Sequence, residues 1–144
     1  MLNFVINTAL PILGTFMIGA VGWISTNFVL NPILKFSQLR EEINVALEYH
    51  ANVSTDEVGT QRYLAACEEI RRLGTKMIAF HNTAHWAVHM YLDIRGFNLK
   101  TASGALIGLS NSMSDKGGGR AMFKWDVQTS LKLPTSYETR PVGD

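Results

Sequence analysis

The sequence predicts an all-α protein: a single N-terminal transmembrane helix followed by a small helical bundle of about four helices. Three observations lead there. Residues 1–34 contain no Asp, Glu, Lys or Arg, although the chain of 144 carries 13 basic and 12 acidic side chains beyond them. Downstream, apolar residues recur every three or four positions, the period of a helix with one covered face. Helix-breaking clusters at Asn31-Pro32, Ala51-Asn52-Val53, Ile94 to Asn98, Ser110 to Gly119 and Pro134 cut the remainder into helix-length pieces. These boundaries divide the chain into an anchor (1–30), a helical domain (31–133) and an irregular tail (134–144).

The anchor is the run from Val5 to Val29. About 20 apolar residues in a helix cross a hydrocarbon layer roughly 30 Å thick, and a helix satisfies its own backbone there. A cleaved signal would need a basic start and a small-x-small cleavage site, and neither is present. Thr15-x-x-x-Gly19 and Gly22-x-x-x-Thr26 put four small residues where another helix can approach closely, the expected helix–helix interface. Pro11 allows a bend or a late helix start. Trp23 lies deeper than an interfacial aromatic belt, which implies a span shifted toward the N-terminus or a Trp packed on protein. Lys35 and Arg40 flank only the C-terminal end, so the expected setting is a bacterial inner membrane with the domain in the cytoplasm.

Asn31-Pro32 is a capping residue followed by a first-turn proline and predicts a new helix start. Ile33, Phe36, Leu39, Ile43, Ala46/Leu47 and His50 then form one stripe, with Gln38, Glu41, Glu42 and Glu48 opposite. Ser54-Thr55-Asp56-Glu57 reads as a capping box opening the next helix. Its stripe is Leu64, Cys67, Ile70, Leu73/Gly74, Met77 and Ile78, so the two helices should pair as an antiparallel hairpin. From Met77 to Leu92 the chain is uncharged, either one continuous helix or two joined at a break where Asn82-Thr83 caps the second. Leu99 to Met113 is a helix with close approach expected at Gly104 and Gly108. A last helix from Arg120 to Leu133 ends at Pro134.

Composition narrows the chemistry. Near balance of charge argues against a nucleic-acid partner, and a lone Cys67 excludes an internal disulfide or a multi-thiolate site. Asp115-Lys116-Gly117-Gly118-Gly119 lacks the order of a phosphate loop, and no G-x-S-x-G elbow or H-E-x-x-H motif is present. The one constellation with chemical potential is His81, His85 and His89, four residues apart, with Asp93 continuing the series. Neighbouring members share a helix face. Such a ladder is a packed interior helix, a zinc or haem site with His50 or Glu68/Glu69 as further ligands, or a pH-responsive cluster.

The reading that absorbs these features needs no cofactor. It is a membrane-anchored, non-catalytic accessory, scaffold or regulatory subunit, with membrane lipid and either a second copy or a larger membrane complex as partners. The competing readings are a metal- or haem-binding membrane protein using the histidines, and a self-associating effector of a toxin or defence system acting through Gly19 and Gly22.

Overall fold

The computed structural model describes residues 2–53, 55–115, 118–135 and 138–142, the side chains of residues 2–10 and 55 excepted. Among these residues every regular element is helical. Helix α1 (Leu2–Ser25) runs through a π-helical turn (Thr26–Leu30) into α2 (Asn31–Tyr49) without interruption. A short 3-10 turn (Thr55–Glu57) precedes α3 (Gln61–Thr83), and α4 (Trp86–Ile94), α5 (Leu99–Asn111) and α6 (Gly119–Ser130) follow.

The predicted start at Asn31-Pro32 is therefore corrected. Asn31 is itself helical, and Leu30, the residue before α2, makes no side-chain cap. Pro32 lacks an N–H for the carbonyl of Phe28, and its ring crowds that carbonyl. A wider turn just upstream accommodates both, with the N–H of Asn31 donating five residues back to the oxygen of Thr26. The proline therefore marks a π turn and not a break. Pro11 likewise lies inside α1, and the Thr15 hydroxyl donates back to the Pro11 oxygen at 2.9 Å.

The bundle is built from α2, α3, α5 and α6. Phe36, Leu39, Ile43, Ala46 and Leu47 of α2 are buried, the stripe expected from spacing. They meet Tyr63, Ala66, Ile70, Leu73 and Met77 of α3. Bonds from Arg72 and Lys76 to Glu42 and a 2.7 Å contact between His50 and Glu69 show that the two helices are antiparallel. Helix α3 begins later than the capping box implied. Glu57 closes the 3-10 turn, and the working cap is Thr60, whose hydroxyl accepts from the N–H of Tyr63. Ser54 lies outside the described residues. The expected stripe is also corrected at its start: Leu64 is exposed, and Tyr63, on the face of Ala66 and Ile70, takes the inward position.

Two glycines set the helix spacing. A Cβ on Gly74 would lie 3.1–3.2 Å from Ile107 and Leu106, so its absence lets α3 and α5 approach closely. On Gly108 it would lie 2.6 Å from the ring of Phe123, which seats α6 on α5. Gly104 was expected to act similarly but faces open space. Helix α6 contributes Val127 and Gln128, then Leu131 and Leu133 just beyond it, to the core. It ends three residues short of the predicted Leu133.

Candidate functional site

The histidine series is divided by a corner. Helix α3 stops at Thr83, Ala84 and His85 are extended, and α4 starts at Trp86. Of the two possibilities open for this stretch, the break is observed, capped two residues later than Asn82-Thr83 suggested. Nδ1 of His85 accepts from the N–H of Ala87 at 3.4 Å. Capping fixes His85 on a different side from its neighbours. Its ring lies edge-on to Phe28 of the π turn, centroids 6.1 Å apart, and beside Trp86.

Because the chain turns, His81 and His89 meet although they are eight residues apart. Their rings are edge to face, with centroids separated by 4.8 Å. They line a half-open cavity of about 250 Å³ that also receives Asp93, Asn98 and Lys100. The Nδ1 of His81 is buried without a hydrogen-bond partner among the described residues. A buried polar atom left unsatisfied costs about 1–3 kcal/mol, which sets His81 apart from the other histidines. For a metal the arrangement is short of ligands. Structural and catalytic zinc sites draw at least three protein ligands, and no three His, Cys, Asp or Glu side chains among the described residues are grouped to hold an ion.

His50 and Glu69, suggested as further ligands, are instead partners of each other at the opposite end of the bundle. His50 is buried, and its Nε2 lies 2.7 Å from Glu69 Oε2. Arg120 ties down the same corner, donating to the carbonyl oxygens of Val53, His50 and Ala51. Those carbonyls belong to the end of α2 and the loop after it, where a cation complements the negative end of the helix dipole. An imidazole oriented by a carboxylate is half of a nucleophilic triad. The adjoining 260 Å³ cavity is lined by His50 itself, Asp115, Arg120, Lys124 and apolar residues, and no Ser, Thr or Cys among the described side chains lines it. Cys67 is half-buried against the core on α3.

The four small residues of the anchor stand on a helix whose apolar window is entirely uncovered by the rest of the chain. Thr15 and Gly19 border a shallow apolar groove with Ile12, Phe16, Ala20 and Trp23. A Cβ on Gly19 or Gly22 would meet nothing within 4 Å, and Thr26 falls in the π turn. Trp23 is itself exposed, its ring edge-on to Phe28.

One surface escaped sequence reasoning. On α4, Val88 and Leu92 point into the core while Trp86, Met90 and Ile94, four residues apart, are 67%, 53% and 77% exposed. The uniform apolarity of Met77 to Leu92 concealed this two-sidedness. The signal was present in the four-residue spacing of Trp86, Met90 and Ile94, once the helix is known to restart at Trp86.

The molecule thus joins one helix long and apolar enough to cross a membrane to a small helical domain, with an apolar edge where the two meet. Compared with protein-family models, with curated proteins and with solved structures, the chain matches none.

Proposed function

We propose that this chain is a single-span, non-catalytic accessory subunit that holds its helical domain against a membrane as a scaffold or regulator of a larger assembly. The observation that carries the reading is the unbroken rod from Leu2 to Tyr49. Its apolar part is uncovered, and its last turns form one wall of the bundle core. A domain continuous with its anchor cannot swing freely, so it presents one fixed face to whatever lies beside it in the bilayer. The basic residues Lys35 and Arg40 favour the cytoplasmic side of a bacterial inner membrane for that domain.

The partner is a second copy or another membrane subunit, met through the face that carries Thr15, Gly19, Gly22 and Thr26. The test uses the full chain with a C-terminal tag, extracted in mild detergent after an alkaline carbonate wash. Retention in the washed membrane and migration well above one 16.0 kDa chain are the expected results. Native mass analysis then separates a homo-oligomer from a mixed complex. Release by carbonate, a strictly monomeric species, or turnover abolished by His85→Ala or His89→Ala would overturn the reading.

A further inference from the structure

The end of the bundle nearest the apolar rod carries a second cavity, of about 260 Å³, between the first turns of α2, the C-terminal end of α4 and the cap of α6. Its walls include Phe36, Tyr91 and Phe97, and its charged residues are Arg40, Arg95 and Lys132, with no carboxylate among the lining side chains. Nor does any of the three make an ion pair among the described residues.

Part of this charge serves the fold. Arg40 donates through Nε and Nη2 to the carbonyl oxygens of Leu131 and Lys132, at 2.7 and 2.5 Å, which satisfies the exposed end of α6. The other two cations have no such use. Both are exposed, Arg95 over the ring of Tyr91 at 5.8 Å and Lys132 Nζ over that of Phe97 at 5.9 Å, and among the described residues neither side chain has a hydrogen-bonding partner.

The backbone of Lys132 sharpens the point. The N–H of Leu133 donates to Gln128 and that of Lys132 to Thr129, a helix-ending motif whose left-handed position is usually glycine. Here a lysine occupies it at φ 51°, the one non-glycine residue with positive φ among those described. A lysine held at that position joins Arg40 over the ring of Phe97, beside Gly96, and is the third positive charge of the cavity.

Like charges gathered in one half-enclosed space repel, and an anion offsets them. Position identifies the anion. Ile33 is three residues and Arg40 ten residues beyond Leu30, about 5 and 15 Å along the rod at 1.5 Å per residue. The headgroup layer extends roughly 5–8 Å beyond the hydrocarbon. With the hydrocarbon ending at Leu30, the Ile33 edge of the cavity falls inside that layer; the backbone of Arg40 lies beyond it, on a helix whose side chains tilt back toward the N-terminal, membrane end. The exposed Trp86, Met90 and Ile94 of α4, linked to Phe28 through His85, offer apolar surface on the membrane side.

We propose that Arg40, Arg95 and Lys132 form a binding site for the phosphodiester headgroup of an anionic phospholipid, whose acyl chains run along α4 and the apolar rod. The inference rests on the rod spanning the bilayer and not on the accessory role, so lipid selectivity and complex size are independent readouts.

The test uses purified full-length protein in neutral detergent with short-chain phosphatidylglycerol, short-chain phosphatidylcholine or inorganic phosphate, bound lipid being quantified by native mass spectrometry. Wild type is expected to retain phosphatidylglycerol over phosphatidylcholine. The double variant Arg95→Gln, Lys132→Gln should lower that preference about 30-fold, taking ~1 kcal/mol per basic residue and tenfold per 1.4 kcal/mol. Lys132→Gly separates binding from folding, because glycine relieves the left-handed strain. It should unfold at an equal or higher temperature while binding less phosphatidylglycerol. Equal retention of both lipids, a double variant that keeps its preference, or inorganic phosphate that displaces phosphatidylglycerol and binds as tightly would each overturn the lipid site. The last of these outcomes would identify a free-phosphate site in its place.

Discussion

From Pro11 to Leu30 the long rod exposes Ile12, Phe16, Ile18 and Val21 on all sides, whereas from Phe36 to Leu47 it hides one stripe and turns the other toward water. Both stretches belong to one continuous helical rod that bonds its own backbone, α-helical apart from the π turn at Thr26–Leu30. What differs is the solvent that each implies. In the bundle, removing apolar area from water drives packing. In the first half no such gain arises from the protein itself, because nothing covers those side chains, and a bilayer supplies the apolar medium instead. Substitutions of the same type should therefore have opposite consequences in the two halves.

Cavity formation gives the largest contrast. Leu106 is fully buried between α3 and α5, and Leu106→Ala should destabilise the bundle by about 2–5 kcal/mol, read as a fall in the denaturant midpoint in detergent. Ile18 is 76% exposed, and Ile18→Ala should leave the same transition in place. A comparable loss at Ile18 in monomeric protein would mean that the rod packs against its own bundle, and the distinction between the halves would fail.

Charge insertion reverses the ranking. Ile18→Arg puts a guanidinium at the centre of the apolar window, with an insertion cost of about 2.5–3.5 kcal/mol, and should shift much of the protein out of the carbonate-washed membrane fraction. Val45 on α2 is also exposed, at 61%, yet Val45→Arg should leave membrane retention unchanged and alter stability by no more than about 0.5 kcal/mol. Two exposed aliphatic residues on one helix would thus be told apart only by what surrounds them.

These contrasts show which parts of the molecule local pattern encodes. The charge-free opening and the α2 stripe were legible because each depends on composition or on spacing within a single helix. Pro32 was misread, since its effect depends on whether the preceding turn can widen, a choice made by the packing of α2. The start of α3 moved from Ser54 to Thr60 for a related reason. Several residues in that stretch can cap a helix, and the burial of Tyr63 selects among them. The meeting of His81 with His89 depends on a corner that the four-residue spacing disguised. The cationic cavity was illegible, because Arg40, Arg95 and Lys132 come from three elements and are separated by up to 92 positions.

Glycines sharpen the comparison at smaller scale, within α5 itself. Gly108→Ala would drive a methyl group into the ring of Phe123, and a thermal unfolding measurement should show a loss of about 1–3 kcal/mol. Four residues earlier, Gly104 faces open space in the same helix, and Gly104→Ala should stabilise by roughly 0.5–1 kcal/mol through the lower entropy of the unfolded chain. If both variants lose stability, α6 is not seated on α5 through Gly108 alone. Something not yet placed must then cover Gly104.

The smallest effect concerns the polar side of the α2–α3 pair. Glu42 accepts from Lys76 at 2.8 Å and from Arg72 at 2.9 Å. The hydrogen bond from Lys76 chiefly holds its carboxyl below the ordinary value of 4.5, burial opposing and Arg72 assisting. A carboxylate with a depressed folded pKa adds stability that is complete above the unfolded value and vanishes as pH falls through the folded one. All three side chains are more than a third exposed, so the contribution belongs in the surface range of about 0.2–1 kcal/mol. Wild type should therefore exceed Glu42→Gln in denaturant midpoint at pH 7, with the difference closing toward pH 3 as Glu42 becomes protonated. High salt at pH 7 should narrow the same difference. A difference unchanged down to pH 3 would show that the side chain acts by packing and not by charge, and the wet face of α2 would then resemble its buried stripe.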